Sequence, residues 1–209
     1  MVDGMKLMIA VPCLDYIDTD FIKCLFALTR RLDREGLDFD VRLRNGSLVY
    51  WARDDLSFEA MQKGYTHVLW LDSDIIFDDD ILEKLAAAKK GFVSGVYRCR
   101  RGEYKYALYK NLEPAENVER LEDVVFRIDG CGFGAVLIET RILKDVWDHN
   151  GETCFAPTQR FGEDMQFCMR ARALGHPIWC QPAAQVGHVG RVVVRPDEPR
   201  ALKEYQIER

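Results

Sequence analysis

The stretch that decides the fold runs from His67 to Leu82 and reads HVLWLDSDIIFDDDIL. It begins with an apolar run that is typical of a buried strand, and an acidic tripeptide, residues 72–74, ends that run. Three more aspartates, residues 78–80, open a helical pattern that closes with two lysines and a glycine at 89–91. Acidic residues at the start of a helix and basic residues at its end both favour the helix dipole. The stretch therefore predicts a strand, an acidic loop and a helix in succession.

Strand and helix signals alternate on both sides of this stretch. Before it, residues 7–11 and 39–43 are predicted strands, and helical periodicity covers 17–32 and 49–63. After it, a strand is predicted at 92–97. This βαβαβαβ order favours a mainly parallel sheet covered by helices on both faces.

The second half of the chain is less regular. We expect strands at 104–109 and 124–128 to form a small antiparallel extension of the sheet. The other predicted elements are strands at 135–138, 178–180 and 184–186 and helices at 140–148 and 163–174. The fold class predicted from the residues is therefore α/β, with a mainly parallel sheet, helices on both faces and a small antiparallel extension.

The composition narrows the class of protein. A formal net charge of -5 argues against a surface built as a whole for nucleic acid. No apolar run approaches the roughly 20 residues that a membrane span needs, and the first six residues lack the features of a secretion signal. None of the seven cysteines forms a pair with zinc spacing. We therefore expect buried free thiols and a protein that works in the cytoplasm.

Asp72 and Asp74 follow the most apolar strand, at the edge of a parallel sheet where ligands gather. Carboxylates at this spacing can converge on one cation, or one can hold the metal and the other a ribose hydroxyl. Magnesium and manganese take oxygen ligands and bridge to phosphates. A turn with a helix cap is the simple alternative, but the aspartates at 78–80 already serve the next helix. We therefore predict a divalent cation that neutralises a diphosphate leaving group.

Several segments, in order, resemble glycosyltransferases of the GT-A fold, including many family 2-like bacterial and phage enzymes. The stretch from His67 to Leu82 resembles their DxD segment. The other segments are IAVPCLD (Ile9–Asp15), WARDDLSFEAM (Trp51–Met61), GCGFGAVLI (Gly130–Ile138), FGEDMQF (Phe161–Phe167) and VGHVG (Val186–Gly190). The resemblance covers about residues 6 to 190.

This resemblance implies a GT-A, Rossmann-like enzyme that moves a sugar from a nucleotide diphosphate-sugar, by default a UDP-sugar, to an acceptor hydroxyl. It implies one catalytic domain over residues 1–190, with a nucleotide-binding half at 1–100 and an acceptor and catalytic half at 101–190. A polar tail at 191–209 would follow. Inversion at the anomeric carbon is expected, although some GT-A enzymes retain its configuration.

On the donor side, the resemblance implies that Pro12 and Asp15 line the nucleoside pocket. Arg53 is implied to contact the nucleotide, for which its planar fork is suited, and a surface ion pair is the alternative. Ser73, together with the aspartate before it, is implied to contact the donor. Gly132 belongs to a glycine-rich segment that lies beside the donor sugar or forms a bulge.

On the catalytic side, the resemblance implies that Asp164 is the base that deprotonates the acceptor and that Glu163 binds or orients the acceptor. Acids in the first turn of a helix also complement its dipole, which is the simple alternative. His188 is implied to complete a metal site with Asp72 and Asp74. A neutral imidazole suits Mn²⁺ better than Mg²⁺, so Mn²⁺ is the expected cofactor and Mg²⁺ the alternative.

The acceptor is not specified by any motif. Residues 89–110 are basic and aromatic, which indicates either an exposed strand pair or a surface for an anionic acceptor such as nucleic acid. A saccharide and a modified DNA base are the two acceptors that we consider.

Two other classes of function compete with glycosyl transfer. A nucleotidyltransferase-like enzyme would carry a glycine-rich basic loop after the first strand, and PCLDYIDTD (12–20) contains neither glycine nor a basic residue. A non-catalytic module that binds a nucleotide-sugar would have no need for Asp72, Asp74, Asp164 and His188 together.

Overall fold

The computed structural model describes residues 4–46, 48–100 and 104–190, and the tail predicted at 191–209 lies outside them. The helices are α1 (Thr19–Arg34), α2 (Val49–Gln62), α3 (Ile81–Ala86), α4 (Thr140–His149) and α5 (Glu163–Ala173). The strands are β1 (Lys6–Pro12), β2 (Asp38–Arg44), β3 (His67–Leu71), β4 (Ile75–Ile76), β5 (Phe92–Val96), β6 (Leu108–Leu112), β7 (Ala115–Asn117), β8 (Phe126–Ile128), β9 (Gly130–Cys131), β10 (Ala135–Glu139), β11 (Ile178–Gln185) and β12 (Gly187–His188).

Seven of these strands form one sheet in the order β2-β1-β3-β10-β5-β11-β8. The pairs β2-β1, β1-β3 and β5-β11 are parallel, whereas β10 runs antiparallel between β3 and β5, and β8 is an antiparallel edge strand. The predicted α/β class is thus confirmed. The insertion of β10 between two strands of the first half is the part that the alternating pattern did not predict.

The position of β10 brings the glycine-rich segment to the acidic loop. Ala135 pairs with Leu71 in the sheet register, so the residues just before β10 lie beside the residues just after β3. The Asp72 amide donates a hydrogen bond to the Gly134 carbonyl at 3.1 Å. Two segments that are distant in sequence therefore meet at one sheet edge.

The smaller sheets differ in detail from the predicted extension. In one, β12 pairs with β4, and in the other the order is β7-β6-β9. The strand predicted at 104–109 begins only at Leu108, and Tyr106 forms an isolated bridge with Arg98. The two short strands predicted at 178–180 and 184–186 are one strand, β11, whose register shifts between Cys180 and Gln185. Strands of two or three residues carry too little pattern to be predicted.

Alternate residues of β3 pack on opposite faces of the sheet. Val68 and Trp70 belong to a core that includes residues of α2, α4 and α5, and Leu69 and Leu71 belong to a core that includes residues of α1 and α3. Successive side chains of a strand point to opposite faces, so a strand that is covered on both faces is apolar throughout. The prediction of helices on both faces is confirmed.

All seven cysteines are free, and five of them are buried. The free thiols agree with the prediction. Among the described residues, no helix has both the length and the apolar character that crossing a lipid bilayer requires.

Candidate active site

A cleft of about 280 Å³ opens at the carboxyl ends of β1 and β3. Its walls include seven of the predicted site residues: Pro12, Arg53, Asp72, Ser73, Asp74, Glu163 and His188. Asp15 is exposed and does not line the cleft, although its neighbours Leu14 and Tyr16 do. Arg100 lines the cleft and was not predicted as a site residue.

The acidic loop is held from both sides by backbone hydrogen bonds. Besides the bond from Asp72 to Gly134, the Ser73 carbonyl accepts a hydrogen bond from the Asp18 amide at 2.9 Å. Asp18 is also the N-cap of α1, where its carboxylate accepts from the Asp20 amide at 2.9 Å. The loop is therefore tied to the start of α1 and to the residue before β10, which fixes its position at the sheet edge.

Arg53 is a buried cation at the side of the cleft. Its side chain is 3% exposed, and its Nη2 lies 2.9 Å from Asp72 Oδ1. Its guanidinium carbon lies 5.1 to 5.8 Å from the ring centres of Trp70, Phe133 and Phe155. Contacts of this kind stabilise a cation that lies above the face of an aromatic ring.

Two of the Arg53 nitrogens, Nε and Nη1, make no hydrogen bond to the residues that the structure describes. The nearest acid on that side is Glu163, whose Oε1 is 3.9 Å from Nε. Buried donors without partners are costly, so such groups in a cleft are suited to a ligand that brings oxygen atoms.

Asp54, next to Arg53 on α2, fixes the position of Phe155, one of the three aromatic residues around the Arg53 guanidinium. Its Oδ1 accepts from the Cys154 amide at 2.7 Å and the Phe155 amide at 2.8 Å, and its Oδ2 accepts from the Thr153 hydroxyl at 2.6 Å. These bonds hold Phe155 beside the Arg53 guanidinium. No local pattern indicates this role of Asp54, because the two segments are far apart in the chain.

Asp74 faces two basic groups across the cleft. Its Oδ2 lies 2.7 Å from Arg100 Nη1, and its Oδ1 lies 3.5 Å from His188 Nε2. Burial alone would raise the pKa of Asp74, but hydrogen bonding to His188 and the charge of Arg100 hold it below its usual value. The opposed effects leave a partly buried, ionised carboxylate.

His188 reaches Asp74 because β12 pairs with β4, which places His188 opposite Ile75. The Asp74 carbonyl accepts from the Val189 amide at 2.8 Å, which fastens the two segments together. The other ring nitrogen, Nδ1, lies 3.2 Å from the Arg98 carbonyl. With a proton on Nε2 the ring donates to Asp74, whereas a proton on Nδ1, which that carbonyl can accept, would leave Nε2 able to ligate a cation.

The acidic groups of the cleft differ in their fit to a metal ion. Among the described residues, no group of three His, Cys, Asp or Glu side chains has the spacing of a metal cluster. Asp72 turns to Arg53, whereas Asp74 and His188 face each other. A carboxylate and an imidazole are suitable ligands for Mn²⁺, and cations of this kind fill their remaining positions with water and phosphate oxygens. The chemistry of Asp74 and His188 therefore fits the cation, and the metal roles of Asp72, Asp74 and His188 all stay predictions.

Glu163 and Asp164 form the first turn of α5, after Gly162 as N-cap. The Asp164 Oδ1 accepts from the Met165 amide at 2.7 Å. Burial and the charge of Glu163 raise the pKa of Asp164 to about 6, and the charge of Asp72 acts in the same direction. A carboxyl group with such a pKa is poised to gain and lose a proton near neutrality.

Tyr97 is a buried residue of this region that sequence reasoning missed. Burial raises the pKa of its phenol, and the charges of Asp72 and Asp164 add to that effect. The Gly134 amide donates to its Oη at 3.2 Å.

Gly132, which is predicted to lie beside the donor sugar, packs against Tyr97. A Cβ at Gly132 would stand 2.0 Å from the Tyr97 Oη, and a Cβ at Gly134 would stand 2.9 Å from its Cζ. Two glycines thus make room for a buried tyrosine. That packing gives a physical reason for Gly132, and a contact of Gly132 with a donor stays a prediction.

The basic and aromatic segment forms part of a second groove of about 500 Å³. The guanidinium carbon of Arg98 lies 4.1 Å from the ring centre of Tyr106, and Lys110 is paired with Glu116 at 3.1 Å. Glu119 also lines the groove. Because acids stand among the basic residues, the groove has mixed charge.

The chain was compared with known proteins. No family model matches it, and no curated protein sequence is similar to it. Its fold is similar to that of A197 from STIV, with a TM-score of 0.56, 18% identity, and coverage of 94% of this chain and 100% of that one. It is also similar to GalNAc-T7 crystallised with UDP, GalNAc and Mn²⁺, with a TM-score of 0.53, 11% identity, and coverage of 91% of this chain and 45% of that one.

A third solved structure is a glycosyltransferase involved in the glycosylation of the major capsid of PBCV-1, with a TM-score of 0.48, 13% identity, and coverage of 90% and 96% of the two chains. At such identities the likeness is one of fold. The predicted GT-A fold is confirmed, and the chain shares its architecture with GalNAc-T7.

Proposed function

We propose that this protein is a metal-dependent glycosyltransferase that moves a sugar from a UDP-sugar to an acceptor hydroxyl with inversion at the anomeric carbon. The single observation that carries the proposal is the composition of the cleft. An ionised carboxylate and an imidazole, Asp74 and His188, face each other there, and Asp164, a carboxyl whose pKa is raised to about 6, lies within electrostatic reach of Asp72.

The charge of the cleft supports a divalent cation. The acids in or beside it are Asp72, Asp74, Glu163 and Asp164, and the guanidinium groups are Arg53 and Arg100. When all the acids are ionised, negative charge is in excess, and a diphosphate would be repelled. A divalent cation held by Asp74 and His188 would remove that excess and, when bound, would stabilise the negative charge of the leaving diphosphate.

The donor would be held by groups of complementary chemistry. Arg53 has buried N–H groups for oxygen atoms of the donor, and Asp72 beside it can accept from hydroxyl groups. Pro12, Leu14, Tyr16 and Val49 line the cleft near the end of β1 and offer apolar area for the flat base of the nucleotide.

Transfer would then be a direct displacement. Asp164 takes the proton of the acceptor hydroxyl as that oxygen bonds to the anomeric carbon, and the bond from this carbon to the phosphate oxygen breaks. The electron pair of the broken bond leaves with the diphosphate. Glu163, which precedes Asp164 in the chain and lines the cleft, would orient the acceptor.

For the acceptor we propose a hydroxyl group of a saccharide. The mixed charge of the groove around Arg98 and Lys110 is less suited to a polyanion than a uniformly basic groove would be. Binding of DNA at graded salt separates the two acceptors, because strong low-salt binding that weakens steeply with salt would favour the modified DNA base.

The proposal is tested by thermal shift with a panel of nucleotide-sugars, each with and without Mn²⁺. A ligand that binds the folded state raises the melting temperature by mass action. We expect one nucleotide-sugar to stabilise the protein only with Mn²⁺, and Asp74→Asn to lose that shift. If no nucleotide-sugar stabilises the wild-type protein with either Mn²⁺ or Mg²⁺, the proposal is wrong.

A further inference from the structure

Arg100 shares the Asp74 carboxylate with the position that a divalent cation would take. Its Nη1 is 2.7 Å from Asp74 Oδ2, while the other oxygen of the same carboxylate faces His188 at 3.5 Å. A cation held by Asp74 and His188 would therefore approach a carboxylate that already carries a guanidinium. Two cations on one carboxylate repel each other, so metal binding is weakened while Arg100 holds Asp74 and is favoured when Arg100 moves away or gains an anion.

Arg100 can move in a way that Arg53 cannot. The Arg100 side chain is 42% exposed, and it also donates a hydrogen bond of 3.2 Å to the Val189 carbonyl. Arg53, by contrast, is 3% exposed and lies among three aromatic rings. Exposed ion pairs are weak, and they are easily exchanged for a better partner.

A guanidinium displaced from Asp74 would still lie at the wall of the donor cleft. Its planar fork matches the oxygens of a phosphate better than those of a carboxylate that is shared with a metal. The diphosphate of the donor would bring such oxygens to the cation, and therefore close to Arg100.

We infer that Arg100 exchanges partners: it neutralises Asp74 until a divalent cation takes that carboxylate, and it then contacts the diphosphate of the donor. The inference rests on the proposed function and adds a donor-binding residue to it. It makes metal and nucleotide binding mutually dependent, since Arg100 opposes the metal alone and supports the metal with its nucleotide.

The experiment measures Mn²⁺ binding by electron paramagnetic resonance of the free ion, and UDP binding by calorimetry, on the purified protein. Arg100→Gln should bind Mn²⁺ about 5-fold more tightly without nucleotide, and should bind UDP about 5-fold more weakly at saturating Mn²⁺. The matched control is Arg141→Gln, which removes another exposed arginine that is paired with an acid, Glu139. This control should behave as the wild type does.

The outcomes separate the inference from the function on which it rests. If wild-type protein binds Mn²⁺ and UDP but Arg100→Gln has unchanged Mn²⁺ affinity or unchanged UDP affinity, the exchange is wrong and the proposed function stands. If the wild type and both variants bind neither Mn²⁺ nor UDP, the proposed function fails, and the role of Arg100 fails with it.

Discussion

Two arginine–aspartate pairs lie in one cleft, and they differ in how firmly the protein holds them. Arg53 and Asp72 form a pair with an arginine that is 3% exposed, whereas Arg100 and Asp74 form a pair with an arginine that is 42% exposed. The first pair is surrounded by aromatic rings and by a loop fixed through Asp54. The second lies where β12 meets β4, near the surface.

Because of this difference, we expect the two sides of the cleft to have different roles. The fixed side, with Arg53, Asp72 and Asp164, would hold the donor and the base in a constant geometry, which catalysis requires. The open side, with Arg100, Asp74 and His188, would exchange ions as the cation and the diphosphate arrive. Substitutions of corresponding residues should therefore cost more on the fixed side.

The largest effect is expected at Asp164. Asp164→Asn keeps the shape of the side chain but cannot take a proton, so transfer should fall about 1,000-fold or more while donor binding remains within about 2-fold. Radiolabelled sugar transfer and UDP calorimetry measure the two quantities. Near-normal transfer would remove Asp164 from the role of base, and a parallel loss of UDP affinity would show that it acts on the donor instead.

The two arginines should differ in their effect on donor affinity. Arg53→Met keeps the apolar stem and removes the charge, so UDP at saturating Mn²⁺ should bind about 100-fold more weakly, against about 5-fold for Arg100→Gln. Calorimetry on both variants, with circular dichroism to check folding, gives the comparison. Equal losses of UDP affinity in the two variants would contradict the distinction between a fixed side and an open side of the cleft.

The raised pKa of Asp164 predicts a cost in stability at neutral pH. A carboxyl that titrates at about 6 when folded and near 4 when unfolded binds more protons in the folded state between these values. Stability contributed by the protonated group is thus lost as pH rises from about 4 to 6, by at most about 3 kcal/mol. Asp164→Asn should be more stable than the wild type at pH 7.5.

Urea unfolding at pH 4.5, 6.0 and 7.5, with EDTA present, tests this cost. The stability advantage of Asp164→Asn should grow with pH by about 2 kcal/mol over that range. Glu163→Gln is the companion variant on the same turn: it removes one of the causes that raise the pKa of Asp164, so it should gain a smaller part of the same advantage. An advantage of Asp164→Asn that is the same at every pH would mean that the pKa of Asp164 is not raised.

The fold was largely predictable because its strongest signals are local. The apolar run of β3 and the periodicity of α1 and α2 are encoded by neighbouring residues, and the structure places these elements where the pattern put them. The insertion of β10 was not predictable in this way, because a strand's partner depends on contacts that are distant in sequence. The pairing of β12 with β4, which brings His188 to Asp74, is of the same kind.

Within the candidate site, several predicted residues share one feature, which is that each follows a strand or opens a helix. Asp72, Asp74 and Glu163 have this setting, and they line the cleft. Arg100 and Tyr97 follow β5, but their neighbours are other basic and aromatic residues, so nothing in the pattern singles them out. Their roles come from three-dimensional contacts, with Asp74 for Arg100 and with two glycines for Tyr97.

The smallest effect is expected at Asp78 and Asp80, which follow the cleft residues Asp72 and Asp74 in the chain. Asp78 and Asp80 pair with Lys84 at 3.1 and 2.8 Å, which agrees with the view that they serve α3 rather than the metal. Because such pairs lie near the surface and are weak, Asp78→Asn and Asp80→Asn should each change the free energy of unfolding by less than about 1 kcal/mol and leave Mn²⁺ affinity unchanged. Comparison of these variants with Asp74→Asn tests whether Mn²⁺ binding depends on particular carboxylates or only on the acidic charge of residues 72–80. A loss of Mn²⁺ affinity at Asp78 or Asp80 that matches the loss at Asp74 would mean that the cation is held by diffuse charge, and the contrast between the two sides of the cleft would then have no bearing on metal binding.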